Sequence, residues 1–332
     1  MAEGAGELMR GTVVKLDRGY PLVRSEDGVE CRCEHATSLV KGARVRATTG
    51  DVVEFSMPAG HDKGVIEKVL PRRNAFVRKD PAERSIPQVL AANFDTVMVA
   101  EPLQGISIRR LERELVLAYK SDAQVIVLLT KADLIEDETE LAEVRGLVER
   151  VAQGTDVLVI SANDPASVEA VRAKVPEGTV AILLGKSGVG KSSLVNLLVG
   201  SEVQATGSIR ERDGRGRHTT VSREMVEIPG GGCVVDMPGI RGLALWDADE
   251  GIGAAFSDVE ELAESCKFRD CRHENEPGCA VRAAIKAGTL APERLESYRR
   301  LKDETEHLRK RDEEAQRIRS RTGHPRRRRR NN

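Results

Sequence analysis

The sequence predicts an α/β protein: a circularly permuted P-loop domain between an N-terminal β-barrel of OB type and a C-terminal helical domain carrying a Cys/His cluster. Three observations predict it. From about residue 93, short and nearly continuous apolar runs alternate with amphipathic stretches, as parallel strands covered by helices on both faces require. Within that stretch, Gly185-Lys186-Ser187-Gly188-Val189-Gly190-Lys191-Ser192 fits the phosphate-binding pattern G-x-x-x-x-G-K-[ST]. The short motifs able to read a nucleotide base precede this loop, whereas the ordinary order puts them after it.

Composition sets the outer bounds. The 332 residues are 40% hydrophobic and 32% charged, the balance of a soluble globular chain long enough for two or three domains. No apolar run approaches the roughly 20 residues that cross a bilayer, so no membrane partner is expected. The start, Met1-Ala2-Glu3-Gly4, lacks a basic-then-apolar leader, and a cytoplasmic location is expected. The formal net charge of −1 conceals a basic end: Arg317, Arg319, Arg321 and then Arg326 to Arg330. Such a run is either a solvated tail or a salt-dependent hold on nucleic acid.

The elements follow in order. Residues 1–72 are expected to form the barrel, with strands at Thr12–Leu16, Tyr20–Val23, Arg44–Ala47, Asp51–Phe55 and Gly64–Val69. An OB barrel fits the length and commonly binds oligonucleotides, although an SH3-like barrel has the same periodicity. Residues 73–92 read as a basic, extended linker. The α/β domain is expected over 93–245, with strands at Thr96–Ala100, Val125–Leu129, Val157–Ile160, Val180–Leu184 and Cys233–Asp236. Its helices are expected at Arg109–Lys120, Glu138–Gln153 and Lys191–Leu198. Residues 246–332 read as helical and charged, with a long exposed helix over Pro292–Arg317.

The loop sits between a strand and a helix, the setting that makes the phosphate motif specific. Glycines let successive N–H groups turn toward phosphates, and the helix N-terminus adds its dipole. Lys191 is expected to reach the β- and γ-phosphates and the Ser192 hydroxyl to bind Mg²⁺. Asp236-Met237-Pro238-Gly239 fits D-x-x-G at the end of a strand, with Asp236 directed to Mg²⁺ and the Gly239 N–H to the γ-phosphate. Between the two lies Gly214-Arg215-Gly216-Arg217-His218-Thr219-Thr220, a polar switch loop whose threonine would complete the Mg²⁺ shell. Thr219 and Thr220 are equal candidates.

Thr130-Lys131-Ala132-Asp133 resembles N-K-x-D with Thr in place of Asn. A carboxylate at Asp133 can accept from guanine N1–H and the exocyclic amine, a donor pair that adenine lacks. Lys131 would lie along the ring, and Ser161-Ala162 would present a backbone N–H to guanine O6. These are the parts of a GTP or GDP site in rotated order; adenine specificity is the competing reading. Thr130 forgoes the Asn side-chain bridge, and a moderate loss of affinity is expected. The position after D-x-x-G, where Ras-type enzymes carry a water-orienting Gln, is Ile240. Intrinsic hydrolysis is therefore expected to be slow, with His218 the nearest polar group able to help.

Cys266-x4-Cys271-x-His273-x5-Cys279 supplies three thiolates and an imidazole, the ligand set of a closed, structural Zn²⁺ site of one ion per chain. Cys31, Cys33 and Cys233 read as inert thiols.

Taken together, TKAD, SA, GKSGVGKSS (through Ser193), GRHTT, DMPG and the C-x4-C-x-H-x5-C pattern resemble the RsgA (YjeQ/YloQ) family over roughly residues 10–300. The resemblance implies an OB domain, a circularly permuted GTPase domain and a zinc-binding domain. It also implies GTP hydrolysis stimulated by the small (30S) ribosomal subunit during late maturation, with 16S rRNA as partner and the enzyme a monomer. Val221 stands where the family has a third threonine, which leaves the Mg²⁺-binding threonine open. Two other readings are an RNA-binding nucleotide sensor with negligible turnover, suggested by Ile240, and a permuted GTPase of the large subunit.

Overall fold

A computed structural model of the chain describes residues 7–17, 20–43, 45–78, 88–201, 223–237, 245 and 248–322. Five strands, β1 (Met9–Asp17), β2 (Tyr20–Ser25), β3 (Glu30–His35), β4 (Val52–Ser56) and β5 (Gly64–Val69), run in the order β1-β2-β3-β5-β4. A β1–β4 pairing closes the barrel, and β3 and β5 are parallel while the other pairs are antiparallel. Closure removes the free edges, and alternating inward residues fill the interior with Val13, Val23, Cys33, Val53, Phe55 and Ile66.

The barrel's third strand differs from the expectation. Residues 45–47 of the Arg44–Ala47 stretch lie in no strand, and the Ala47 N–H donates to His35 Nε2 at 2.9 Å instead of to a ladder. The third strand is β3, Glu-Cys-Arg-Cys-Glu-His, in which Cys33 is the fully buried residue. The segment read as a linker holds β6 (Ala75–Arg78), paired antiparallel with β7 (Gln88–Ala92), and Phe76 stacks on Phe94 at 5.1 Å.

The second sheet comprises β8 (Thr96–Pro102), β9 (Gln124–Thr130), β10 (Asp156–Val159), β11 (Val180–Leu184), β12 (Arg223–Glu227) and β13 (Cys233–Asp236). Their order is β10-β9-β8-β11-β13-β12, all parallel except the β12–β13 pair. Strand β12 also pairs with β1, so barrel and sheet are continuous, and Lys15 binds Glu224 across that seam at 2.6 Å.

Side-chain alternation along the central strands feeds two cores. Val97, Val99, Ile182 and Leu184 pack with α1 (Ile108–Tyr119) and α2 (Glu138–Val151). Met98, Ala100, Ala181 and Leu183 pack with α3 (Pro165–Arg172) and α4 (Lys191–Val199). Each crossover therefore buries one face of a strand, which is why these strands read as continuous apolar runs. Asp137 and Asp164 cap α2 and α3 by accepting from the N–H groups of Thr139 and Ala166.

The C-terminal helices are α5 (Asp249–Ala255), α6 (Ser257–Glu264), α7 (Ala280–Lys286) and α8 (Pro292–Thr322). At Gly251 a Cβ would collide with Val116 O, so the glycine lets α5 lie against α1. Arg294 of α8 is buried and binds Glu112 of α1 at 3.2 Å and Asp258 of α6 at 3.0 Å. Its guanidinium also lies 4.1 Å from the Phe256 ring centroid. Arg109–Glu296 and Arg113–Glu304 pairs extend the α1–α8 contact on either side. No helix among the described residues is long and apolar enough to cross a membrane.

Candidate nucleotide site and metal centre

Strand β11 ends at Leu184 and α4 begins at Lys191, so the intervening loop lies at the carboxyl ends of the parallel strands, the usual ligand crevice of such sheets. Gly185 has φ 144°, and a Cβ there would strike the carbonyl oxygen of Ala100. The loop can thus lie against β8 only with glycine at that position. Gly188 and Gly190 have φ 81° and 111°, left-handed conformations that favour glycine in the turn ahead of the helix.

Lys191 is buried, and its Nζ donates to Gly185 O at 3.0 Å and lies 3.8 Å from Asp236 Oδ1. Ser192 Oγ donates to Asp236 Oδ2 at 3.2 Å. An ammonium, a hydroxyl and a carboxylate therefore meet beneath the glycine loop. This donor set fits a triphosphate with a hard cation: cation for phosphate, oxygens for Mg²⁺. Val189 is buried, whereas Lys186, Ser187 and Gly188 face solvent. Ser193 lies one residue farther along α4 and is exposed.

The residues expected to read a base converge from β9 and β10. Lys131 adopts φ 60°, a left-handed turn that swings Ala132 and Asp133 off the end of β9, and the Ala132 N–H donates to Ile160 O at 3.1 Å. Asp133 is exposed, and its carboxylate accepts from Ser161 Oγ at 3.4 Å. Ser161 is fixed in turn, its N–H donating to Ser167 Oγ at 3.1 Å, and Ala162 follows it at the surface.

Thr130 differs from the expectation drawn from its side chain. It is buried, and its hydroxyl donates to Val189 O at 2.6 Å, with Glu101 O at 3.3 Å. A side-chain bridge from Thr130 to the glycine-rich loop is therefore present. A threonine Oγ reaches a carbonyl that the short loop-to-strand distance brings within range.

Behind the loop lie two groups that sequence reasoning did not single out. Glu101, fully buried at the end of β8, takes two 2.6 Å bonds from Arg110 of α1. Glu114, one turn on from Arg110, is buried, and its Oε2 has no hydrogen-bond partner among the described residues. Burial, then the neighbouring Glu101 charge, push its carboxyl up to about 8, against the pull of Arg110 and Lys191. The sequence signal was two carboxylates in apolar surroundings, with Arg110 and Glu114 at helical i,i+4 spacing.

His218, Thr219, Thr220, Gly239 and Ile240 lie outside the described residues; Asp236, which opens the D-x-x-G motif, lies within them.

Cys266, Cys271, His273 and Cys279 bring one ligand atom each to within 4.8 Å of one another. Cys266 Sγ lies 3.7 Å from His273 Nδ1 and 3.9 Å from Cys279 Sγ, and His273 Nδ1 lies 3.4 Å from Cys279 Sγ. Ligands about 2.0–2.3 Å from a tetrahedral centre have edges of this length, so the four could hold a metal ion. The N–H groups of Ala280 and Arg282 point at Cys266 and Cys279 Sγ at 3.4 and 3.5 Å, so backbone donors orient both sulfurs. His273 takes φ 58°, the turn that brings its Nδ1 to the sulfurs.

The RsgA GTPase family model matches residues 69–246. A small ribosomal subunit biogenesis GTPase RsgA of Streptomyces coelicolor is 45% identical over 308 residues, 92% of this chain and 82% of that protein. The protein of the same name in Methanosarcina acetivorans is 40% identical over 254 residues, 76% and 68% of the two chains. The crystal structure of YjeQ from Thermotoga maritima aligns with TM-score 0.67 at 28% identity, over 90% of this chain and 99% of that one. The structure of YloQ, described as a circularly permuted GTPase, aligns with TM-score 0.65 at 24% identity, over 93% and 98%, and speaks for the fold alone.

Proposed function

This chain belongs to the RsgA GTPase family, and from that premise we propose how its own residues bind and hydrolyse GTP in small ribosomal subunit biogenesis. The observation that carries the reading is the Thr130 hydroxyl joining the base-reading motif to the phosphate loop at 2.6 Å, so that two weak motifs act as one site.

In this proposal the loop from Gly185 to Ser192, with Ser193 behind it, cradles the phosphates. Lys191 exchanges its internal carbonyl acceptors for phosphate oxygens. Ser192 and Asp236 would hold Mg²⁺, which neutralises charge developing on the transferred phosphate oxygens. Asp133 reads the guanine edge, Lys131 lies along the ring, and Ser161-Ala162 faces O6. His218 helps place the attacking water because Ile240 cannot, and Thr219 or Thr220 completes the metal shell. Gly239 contacts the γ-phosphate.

The Cys266/Cys271/His273/Cys279 cluster holds one structural Zn²⁺ per chain. With four protein ligands of this set, a tetrahedral zinc would have no position left for catalysis. Residues 1–72 and 246–332 grip the small subunit and its 16S rRNA on either side of a GTPase domain spanning 93–245. The protein works as a cytoplasmic monomer, and hydrolysis times its release.

Single-turnover GTP hydrolysis with no subunit, with 30S and with 50S subunits tests the reading. Stimulation by 30S alone supports it. Stimulation by 50S, or none by either, refutes it. A His218→Ala protein should keep nucleotide binding and lose about 10²-fold of the stimulated rate.

A further inference from the structure

Glu114 lies behind the phosphate loop and is used by no step described above. Three observations converge on it. It is 4% exposed, and its Oε2 has no partner among the described residues. It shares α1 with Arg110, whose Nε and Nη2 are both spent on the two oxygens of the fully buried Glu101. Glu101 in turn is tied to the nucleotide site: its carbonyl oxygen lies 3.3 Å from Thr130 Oγ1, and the preceding carbonyl of Ala100 is the surface against which Gly185 rests.

The charges that act on Glu114 include Glu101 on β8, Arg110 on its own helix and Lys191 on α4. An ionised Glu114 would repel Glu101, compete with it for Arg110 and draw Lys191 inward, away from phosphate. An uncharged Glu114 does none of these.

We propose that Glu114 is a positioning residue of the nucleotide site, held as the neutral acid so that Arg110 stays on Glu101 and the Lys191 ammonium stays at the loop carbonyl of Gly185, where a phosphate would meet it. The inference rests on the assignment of the loop from Gly185 to Ser192 as the phosphate site. Nucleotide affinity is then linked to one proton, because the binding-competent loop keeps the proton that ionisation removes. The sign follows from the shift. The group is raised above its usual carboxylate range to about 8, so the favourable state is present at and below neutral pH and lost as pH rises through 8.

The test is equilibrium binding of fluorescent GDP with Mg²⁺ to the full chain between pH 6.5 and pH 9, for the unmodified protein and for Glu114→Gln. The expected result is a fall in affinity of about fivefold or more across this range for the unmodified protein, and less than about twofold for Glu114→Gln. Superimposable profiles would overturn the proposal while leaving the phosphate site standing. Failure of the unmodified protein to bind GDP at pH 7 would overturn the phosphate-site reading itself. A second measurement does not depend on the variant binding nucleotide: the infrared carboxylic-acid band of the unmodified protein at pH 7 should include a component that Glu114→Gln lacks. Identical bands in the two proteins would also overturn the proposal.

Discussion

The hydroxyl of Thr130 donates to the carbonyl oxygen of Val189 across 59 residues of sequence, at 2.6 Å. The last residue of one strand thereby fixes the crest of a loop that follows a different strand. The loop's shape is therefore set from the base side as well as by its own glycines. Thr130→Val keeps the shape of the side chain and strands a buried carbonyl. A loss of about 1–2 kcal/mol, roughly tenfold in GDP affinity, is expected. Isothermal titration would show it, and unchanged affinity would mean that the loop holds itself.

Asp133→Asn should lose guanine preference, because its carboxylate is replaced by an amide that offers a donor where guanine N1–H needs an acceptor. Two hydrogen bonds to a charged acceptor are worth about 3 kcal/mol or more together, on the order of a hundredfold. Competition with GTP, XTP and ATP measures it. The variant should gain on XTP what it loses on GTP, and equal displacement by ATP and GTP in the unmodified protein would remove Asp133 from base reading.

Freshly purified protein should carry one zinc per chain by elemental analysis. Cys271→Ser should lower the melting temperature, since metal binding in such sites is folding free energy. It should leave GDP binding nearly unchanged, because the cluster adjoins α7 and not the phosphate loop. Absence of stoichiometric zinc counts against the site.

Arg294→Ala would leave Glu112 and Asp258 without their shared cation in a buried place. A cost of about 3–5 kcal/mol in urea unfolding is expected, most of it from the stranded charges. Adding Glu112→Gln in the Arg294→Ala background should recover part of the loss, because it removes one of those charges. Additive losses would show that the three groups do not form one network.

Much of this protein can be read directly from residues. The glycine loop is legible because backbone requirements force glycine at Gly185 and Gly190, and the Cys/His cluster because ligands able to share one metal ion need short, fixed spacing. The central strands are legible because burial on both faces leaves an apolar run with little else in it. Strand β3 is not, since its one buried position is Cys33 between charged neighbours, and the more apolar 45–47 stretch competes with it. Strand β12 and the β6–β7 pair escape for another reason: their stability comes from partners far along the chain, such as Glu224 on Lys15 and Phe94 on Phe76. The Thr130 bridge was legible in its residue but not in its geometry, because whether a shorter side chain reaches depends on the distance between two strand ends.

The seam between β1 and β12 constrains how the chain is made. Lys15 and Glu224 are 209 residues apart, so at about 5–20 residues per second the first strand of the barrel waits roughly 10–40 s for its outer partner to be synthesised. Permutation adds a second delay in the same direction. Strands β8, β9 and β10 emerge first and can pair among themselves, but one side of β8 stays open until β11 arrives, bringing the phosphate loop with it. A nascent chain stalled before residue 180 would thus display the residues proposed to read the base and an open strand edge, without the loop proposed to hold the phosphates. Ligand cannot assist folding until the fourth of the sheet's six strands is in place.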